Sequence, residues 1–195
     1  MLIPNTELKY VSDEVGNGVF TKKFIPKGTL VWVKTELDII VSASNEQKFK
    51  NELSNQFEFR NNKGEHLLLH DNARFINHSF KANCIVTVYN FFIAVFDIFP
   101  DEEITIDYGT LNIKKPIVFN TNTEEDTVNP NDIILYHSIW DKRVENAMKN
   151  FKKVNQYIEE CLVADVKKEL NLISLGIQKM PSILNCYYEN ESIKQ

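Results

Sequence analysis

The sequence predicts a mainly β domain followed by a helical appendage, and three observations predict it. Residues 1–109 break into short β-branched and aromatic runs separated by turn signals such as Pro26-Lys27-Gly28. From about Asp132 to Leu175 the apolar residues instead recur at spacings of three and four. Between the two lies a stretch, 116–131, rich in Asn, Thr, Asp and Glu.

Each element follows from its local pattern. Gly18-Val19-Phe20-Thr21 leads into Phe24-Ile25-Pro26-Lys27-Gly28 and then Thr29-Leu30-Val31-Trp32-Val33, a strand-turn-strand signal. Ile39-Ile40-Val41 is a further strand. Asn45 to Asn55 reads as helical, with Phe49 and Leu53 four apart on one face. Leu67-Leu68-Leu69 is a short buried run. Ile85 to Tyr89 and Phe91 to Phe96 flank Asn90, which suits a tight hairpin. Phe99-Pro100-Asp101-Glu102 turns into Ile104-Thr105-Ile106 and echoes the earlier Ile25-Pro26-Lys27-Gly28 turn. Pro116 and Pro130 mark 116–131 as a linker or loop. Beyond it Val144, Ala147, Met148, Phe151, Val154, Ile158, Leu162, Val166 and Leu170 form an apolar stripe. Gly176 and Pro181 are stop signals, and the tail from Ser182 is expected to be loosely held. An amphipathic helix needs a surface to cover, so 132–195 is expected to pack on the β unit as a lid.

Composition sets the outer bounds. At 195 residues, 43% hydrophobic and 25% charged, this is one domain, or one domain with an appendage, and not a disordered chain. Folding at this size buries roughly 70% of the unfolded surface, enough for a core without staples. A net charge of −5 argues against a dedicated nucleic-acid binder. Cys84, Cys161 and Cys186 are far apart and form no C-x-x-C pair, so neither a disulfide framework nor a zinc motif is visible. An intracellular setting, cytoplasmic or nuclear, is the expectation. Met1 to Tyr10 lacks the basic and apolar regions of a standard leader, which leaves export by a non-standard signal open. Ile85 to Phe99 is too short and too interrupted to span a membrane.

Three clusters could carry chemistry. Gly16-Asn17-Gly18 is either a turn between strands or a glycine loop that lets backbone approach a ligand. It is not a dinucleotide fingerprint, because the third glycine and the following helix are missing. Asn77 offers two donors and an acceptor, suited to a polar cofactor tail, beside His78. His66, His70 and His78 have no carboxylate pattern to support a metal. Tyr108 closes a strand before Gly109, either as a half-buried strand-end residue or as a phenol at a site edge.

Taken in order, Gly16-Asn17-Gly18-Val19-Phe20, then Arg74-Phe75-Ile76-Asn77-His78-Ser79 with Asn83, then Glu102-Glu103-Ile104-Thr105-Ile106-Asp107-Tyr108-Gly109, resemble the signature of the SET-domain protein-lysine methyltransferases. The resemblance covers about residues 8–110, with 42–72 as a variable insert in a catalytic domain of residues 1–115. It implies a SET-type fold of small curved β-sheets in which the Asn77-His78 segment and the Tyr108 segment thread through one another, like a pseudoknot. Such threading is rare among folds. The implied activity is methyl transfer from S-adenosylmethionine to the ε-amine of a lysine in a protein or peptide such as a histone tail. By the same resemblance Gly16, Asn17, Gly18, Arg74, Phe75, Asn77, His78 and Tyr108 line the donor pocket. Tyr108 is the catalytic residue, and Ile106 and Tyr108 border the substrate channel. The target amine has a free pKa of about 10.4 and must be neutral to attack. A narrow aromatic channel beside a sulfonium would lower it by desolvation and like-charge repulsion.

Departures from the family pattern carry their own expectations. Phe80 stands where many relatives have Cys and no Cys cluster follows Tyr108, so their zinc site is expected to be absent and the helical segment to replace it as lid. Trp140, or Phe119, is the expected aromatic near the adenine; core packing is the alternative for Trp140. Ala82 replaces the usual proline. Asp101 replaces a glycine, tolerable if that position is left-handed. Ile106 replaces Phe or Tyr, which allows more than one methyl transfer. A catalytically silent binding module and an interaction protein worked by the helical segment are the competing readings.

Overall fold

The computed structural model describes residues 1–42, 58–120 and 125–189. The helical reading of Asn45–Asn55 lies outside them. In chain order the strands are β1 (Thr6–Ser12), β2 (Gly16–Thr21), β3 (Leu30–Val33), β4 (Ile39–Val41), β5 (Glu58–Arg60), β6 (His66–Leu68), β7 (Asn77–His78), β8 (Cys84–Val86), β9 (Phe91–Ala94), β10 (Thr105–Ile106), β11 (Ile117–Asn120) and β12 (Glu125–Val128). Among the described residues two α-helices follow, α1 (Asp132–Met148) and α2 (Ala164–Ser174). Among the described residues the strands make four small sheets: β1-β2, β3-β9-β8-β10-β7, β11-β12 and β4-β6-β5.

The five-stranded sheet separates two cores, and strand alternation explains how. Successive side chains of a strand point to opposite faces. Phe92 and Ala94 join Trp32, Cys84, Ile104 and Ile106 on the face covered by the small sheets. Phe91 and Ile93 join Leu30, Ile85, Trp140, Val144, Phe151 and Leu170 on the face covered by the helices. Buried on both faces, β9 therefore reads as a continuous apolar run.

The turn echo seen in the sequence is a physical pairing. Ile25 and Ile98 exchange backbone hydrogen bonds of 2.9 Å each way. Phe24 and Phe99 pack beside them with tilted rings, centroids 5.3 Å apart. Asp101 has a φ of 67°, so the left-handed position that tolerates Asp is realised. Asn90, also at positive φ, closes the β8-β9 hairpin by donating its N–H to Thr87.

Three expectations need correction. Residues 116–131 are not a plain linker: Ile117 pairs with Val128 and Phe119 with Asp126 in a β-hairpin. The polar composition of the stretch masked the β-branched and aromatic residues that form its strands. The stripe from Asp132 to Leu175 is not one helix. It breaks after Met148 into short 3-10 turns at Phe151–Lys153 and Glu159–Cys161 before α2. In the break, Gln156 turns its amide onto the start of β3, beside the part that Met1–Ile3 pair with, accepting from Leu30 N–H and donating to Gly28 C=O, both at 2.8 Å. Those bonds satisfy edge groups that a continuous helix would leave open. The tail is tied down as far as Tyr188: Ser182 bonds Asp141 at 2.6 Å, Ile183 is buried, and Tyr188 N–H donates to Asn112 at 2.9 Å. Among the described residues no helix is long and apolar enough to cross a membrane.

Candidate active site

β7 and β8 are consecutive strands, yet β10 lies between them and runs parallel to both: Thr105 pairs with Asn77, and Ile106 with His78 and Cys84. The chain from Ile76 to Cys84 thus loops around the segment that ends in Tyr108. Side chains hold the two segments together. Asn83 acts as a piece of strand, donating from its amide to Glu103 C=O at 2.8 Å and accepting from Thr105 N–H at 2.9 Å. Tyr108 N–H donates to His78 Nδ1 and Tyr108 O–H to Ile76 C=O, each at 3.1 Å.

This interlock brings together residues that lie far apart in sequence. Asn77 Nδ2 donates to Glu103 Oε1 at 2.6 Å and to Asn17 C=O at 3.2 Å. A Cβ on Gly18 would stand 2.2 Å from the same Glu103 oxygen, so the space above Gly18 is filled by that carboxylate. Gly16 serves the turn instead, with a φ of +78° and open space where a Cβ would go. β2 also packs against the 3-10 turn Asn72–Phe75, where Arg74 lies over the Phe75 ring.

His78 sits in an aromatic cage. Its ring stacks on Phe119 at 4.4 Å and meets Phe80 edge-on at 4.3 Å. Only 3% of its side chain is exposed, and burial lowers the imidazole pKa to about 4, so it is neutral at pH 7. Nδ1 lies within hydrogen-bond distance of Tyr108 N–H, and Nε2 is buried without a hydrogen-bond partner among the described residues. Burial and the neighbouring Glu103 charge both push the Tyr108 phenol upward, so it stays protonated.

Trp140 is buried against Gly109 and its indole donates to Asp107. Burial pushes the Asp107 carboxyl upward. Trp140 also borders a cleft of about 350 Å³ with Phe80, Tyr136, Asp132 and Arg143. Phe119, the other candidate aromatic, is the one on His78. Ile106, expected at the channel wall, has a side chain that is wholly inside the first core. Glu103 and Asn83 were legible as motif letters but not as site residues, because their contacts exist only through the interlock.

Among the described residues no group of three or more His, Cys, Asp or Glu is placed to hold a metal ion. The fold class is a set of small curved sheets with interlocked Asn-His and Asp-Tyr segments, backed by helices. Residues 16–109 match the family model of the SET domain. The methyltransferase domain of the human histone-lysine N-methyltransferase SETMAR is similar at 22% identity and a TM-score of 0.43, over 53% of this chain and 44% of that one. The chain thus spans less than half of that domain. A Plasmodium falciparum candidate histone methyltransferase is similar at 21% identity and a TM-score of 0.42, over 55% of this chain and 95% of that one. No curated protein matches the chain.

Proposed function

We propose that this protein transfers a methyl group from S-adenosylmethionine to the ε-amine of a lysine in a protein substrate, histone or non-histone. The observation that carries the reading is the convergence of Gly18, Asn77, His78 and Tyr108 at the interlock of a SET domain. The residues suit the donor chemically. Asn17 C=O and Glu103 offer acceptors to an ammonium, and Arg74 offers a cation to a carboxylate. The cleft bordered by Phe80, Tyr136 and Trp140 offers aromatic faces to a base, and its volume is in the range of small-molecule sites.

When bound, the donor supplies an electrophilic methyl on a sulfonium. In-line displacement asks the protein mainly for position. Tyr108, kept protonated by burial, orients the amine through its phenol oxygen and does not take the amine's proton. The rings beside Tyr108, His78 at 5.3 Å and Phe119 at 6.3 Å, disfavour a charged lysine and so raise the share of neutral, nucleophilic amine.

The test is mass spectrometry of a mixed lysate incubated with the protein and isotopically labelled donor. Labelled methyl groups on lysine are the expected result, with their number read from the mass. Tyr108→Phe should lower kcat by on the order of 10²-fold; full activity in that variant would contradict the role given to the hydroxyl. Donor binding by calorimetry without transfer to any protein would favour a silent binding module.

A further inference from the structure

A second cleft borders the turn that begins at Tyr108. The cleft beside Trp140 reaches that turn through Asp107; the second reaches it through Thr110, the last residue of the same 3-10 turn. It encloses about 300 Å³, a volume that holds a side chain or a small ligand. Its walls come from the turn after β5, the β8-β9 hairpin, Thr110, and the 3-10 turn that ends at Cys186. Val86 in that wall belongs to the core on which Tyr108 packs. The lining is cationic and rich in amides. Arg60 and Lys63 carry positive charge, Asn62, Asn90 and Asn185 carry amides, and among the described residues no carboxylate lines it. On a chain of net charge −5 this is a local reversal of sign. Arg60 is only 6% exposed, and its contacts fix it. Its Nε donates to Asn112 C=O at 2.7 Å, and the Asn112 amide donates back to Arg60 C=O at 2.8 Å. Its guanidinium lies over the Tyr188 ring. A guanidinium fixed in this way loses little freedom on meeting a carboxylate or phosphate, whose geometry its planar fork matches. Lys63, exposed, adds a second positive charge to the lining.

We infer that this cleft seats an anionic side chain of the protein substrate, a carboxylate or a phosphate, close in sequence to the target lysine. This rests on the methyl-transfer reading and names its substrate class: lysines with an acidic or phosphorylated neighbour, rather than lysines in uniformly basic tails. An extended peptide covers about 3.3 Å per residue, so an anion beside Thr110 lies a few residues from a lysine at Tyr108. The competing role is structural, with Arg60 serving only to hold Asn112 and Tyr188.

A peptide library separates the two. Each peptide holds one lysine between neutral flanks, and glutamate, phosphoserine, glutamine or lysine is moved through the positions on either side. The full chain and isotopically labelled S-adenosylmethionine are added, and mass spectrometry reads relative kcat/KM. The inference expects a flank position at which glutamate or phosphoserine raises kcat/KM over glutamine by roughly tenfold or more, and lysine lowers it. The stronger of the two anions tells carboxylate from phosphate. Lys63 is exposed, so Lys63→Glu should cut the preference by about threefold or more without abolishing it. Methyl transfer with no preference for an anion at any position would overturn the inference and leave the methyl-transfer reading standing. A preference unchanged in Lys63→Glu would overturn the placing of the anion in this cleft. Should only whole proteins be methylated, the neighbours of the lysines labelled in a lysate give the same profile. No transfer to peptide or lysate protein overturns the methyl-transfer reading itself, and this inference with it.

Discussion

Gly16 and Gly18 sit two residues apart in one motif, and the structure gives them different reasons to be glycine. Gly16 has a φ of +78° and nothing within 4 Å of the position a Cβ would take. Alanine there strains the backbone by about 1–2 kcal/mol and touches nothing. Gly16→Ala should lower stability by about that amount and leave ligand affinity unchanged. Gly18 lies in β2 with no positive φ, but its Cβ would meet Glu103 Oε1 at 2.2 Å and Asn77 Nδ2 at 3.0 Å. Both are ends of side chains, so the carboxylate can swing aside without moving the backbone. The swing breaks the Glu103–Asn77 bond, and a hydrogen bond to a charged group contributes about 1.5–3 kcal/mol. Gly18→Ala should therefore weaken S-adenosylhomocysteine binding by about tenfold or more. Urea unfolding followed by tryptophan fluorescence reads the first effect, since Trp32 and Trp140 are both buried. Calorimetry reads the second. Wild-type affinity in Gly18→Ala, or unchanged stability in Gly16→Ala, would refute the division.

Two further outcomes follow from burial. Phe151 is wholly buried between the helices and the sheet, so Phe151→Ala should destabilise the chain by about 3–5 kcal/mol; the exposed Leu135→Ala should stay within about 0.5 kcal/mol. One urea transition is expected in both variants, and two separate transitions would show that the helices fold apart from the sheet. The His78 pKa of about 4 lies below its unfolded value of about 6.5, so the unfolded chain binds more protons between them. The stability that neutral His78 contributes is complete above about pH 6.5 and is lost as pH falls towards 4, by up to about 3 kcal/mol. Asp107, raised by burial, acts in the opposite sense, so the useful quantity is wild type minus His78→Gln; an identical pH slope in both would sink the assignment.

What was legible in the chain was what local chemistry decides. Asn90 marks a hairpin because it accepts a positive φ, and Pro26 and Pro100 mark turns because each fixes its own φ. The apolar stripe of α1 shows because helix period and burial agree. The interlock came from the family resemblance alone, since a two-residue strand such as β7 has no pattern to read. The hairpin of β11 and β12 and the turn at Gln156 were lost for another reason. In the hairpin a polar composition masks the β-branched and aromatic residues of its strands, and at Gln156 a side chain makes the bonds that backbone would make. The part Glu103 plays could not be read from spacing, because Gly18, Asn77 and Glu103 meet only after the threading is complete.

The helical segment belongs to the same physical unit as the site. Val144, Ala147 and Phe151 cover the back of the sheet whose front carries Cys84 and Ile106. From that same α1, Trp140 reaches the turn that begins at Tyr108, packing on Gly109 and bonding Asp107. A lid that merely closed over a finished domain would leave an apolar sheet face behind when it opened, at about 25 cal/mol per Å² exposed. The β11-β12 strands, by contrast, pair only with each other among the described residues, and Phe119 of β11 rests on His78. Through Trp140 the packing of α1 is thus coupled to the turn that begins at Tyr108, so that packing errors at Ala147 reach that turn.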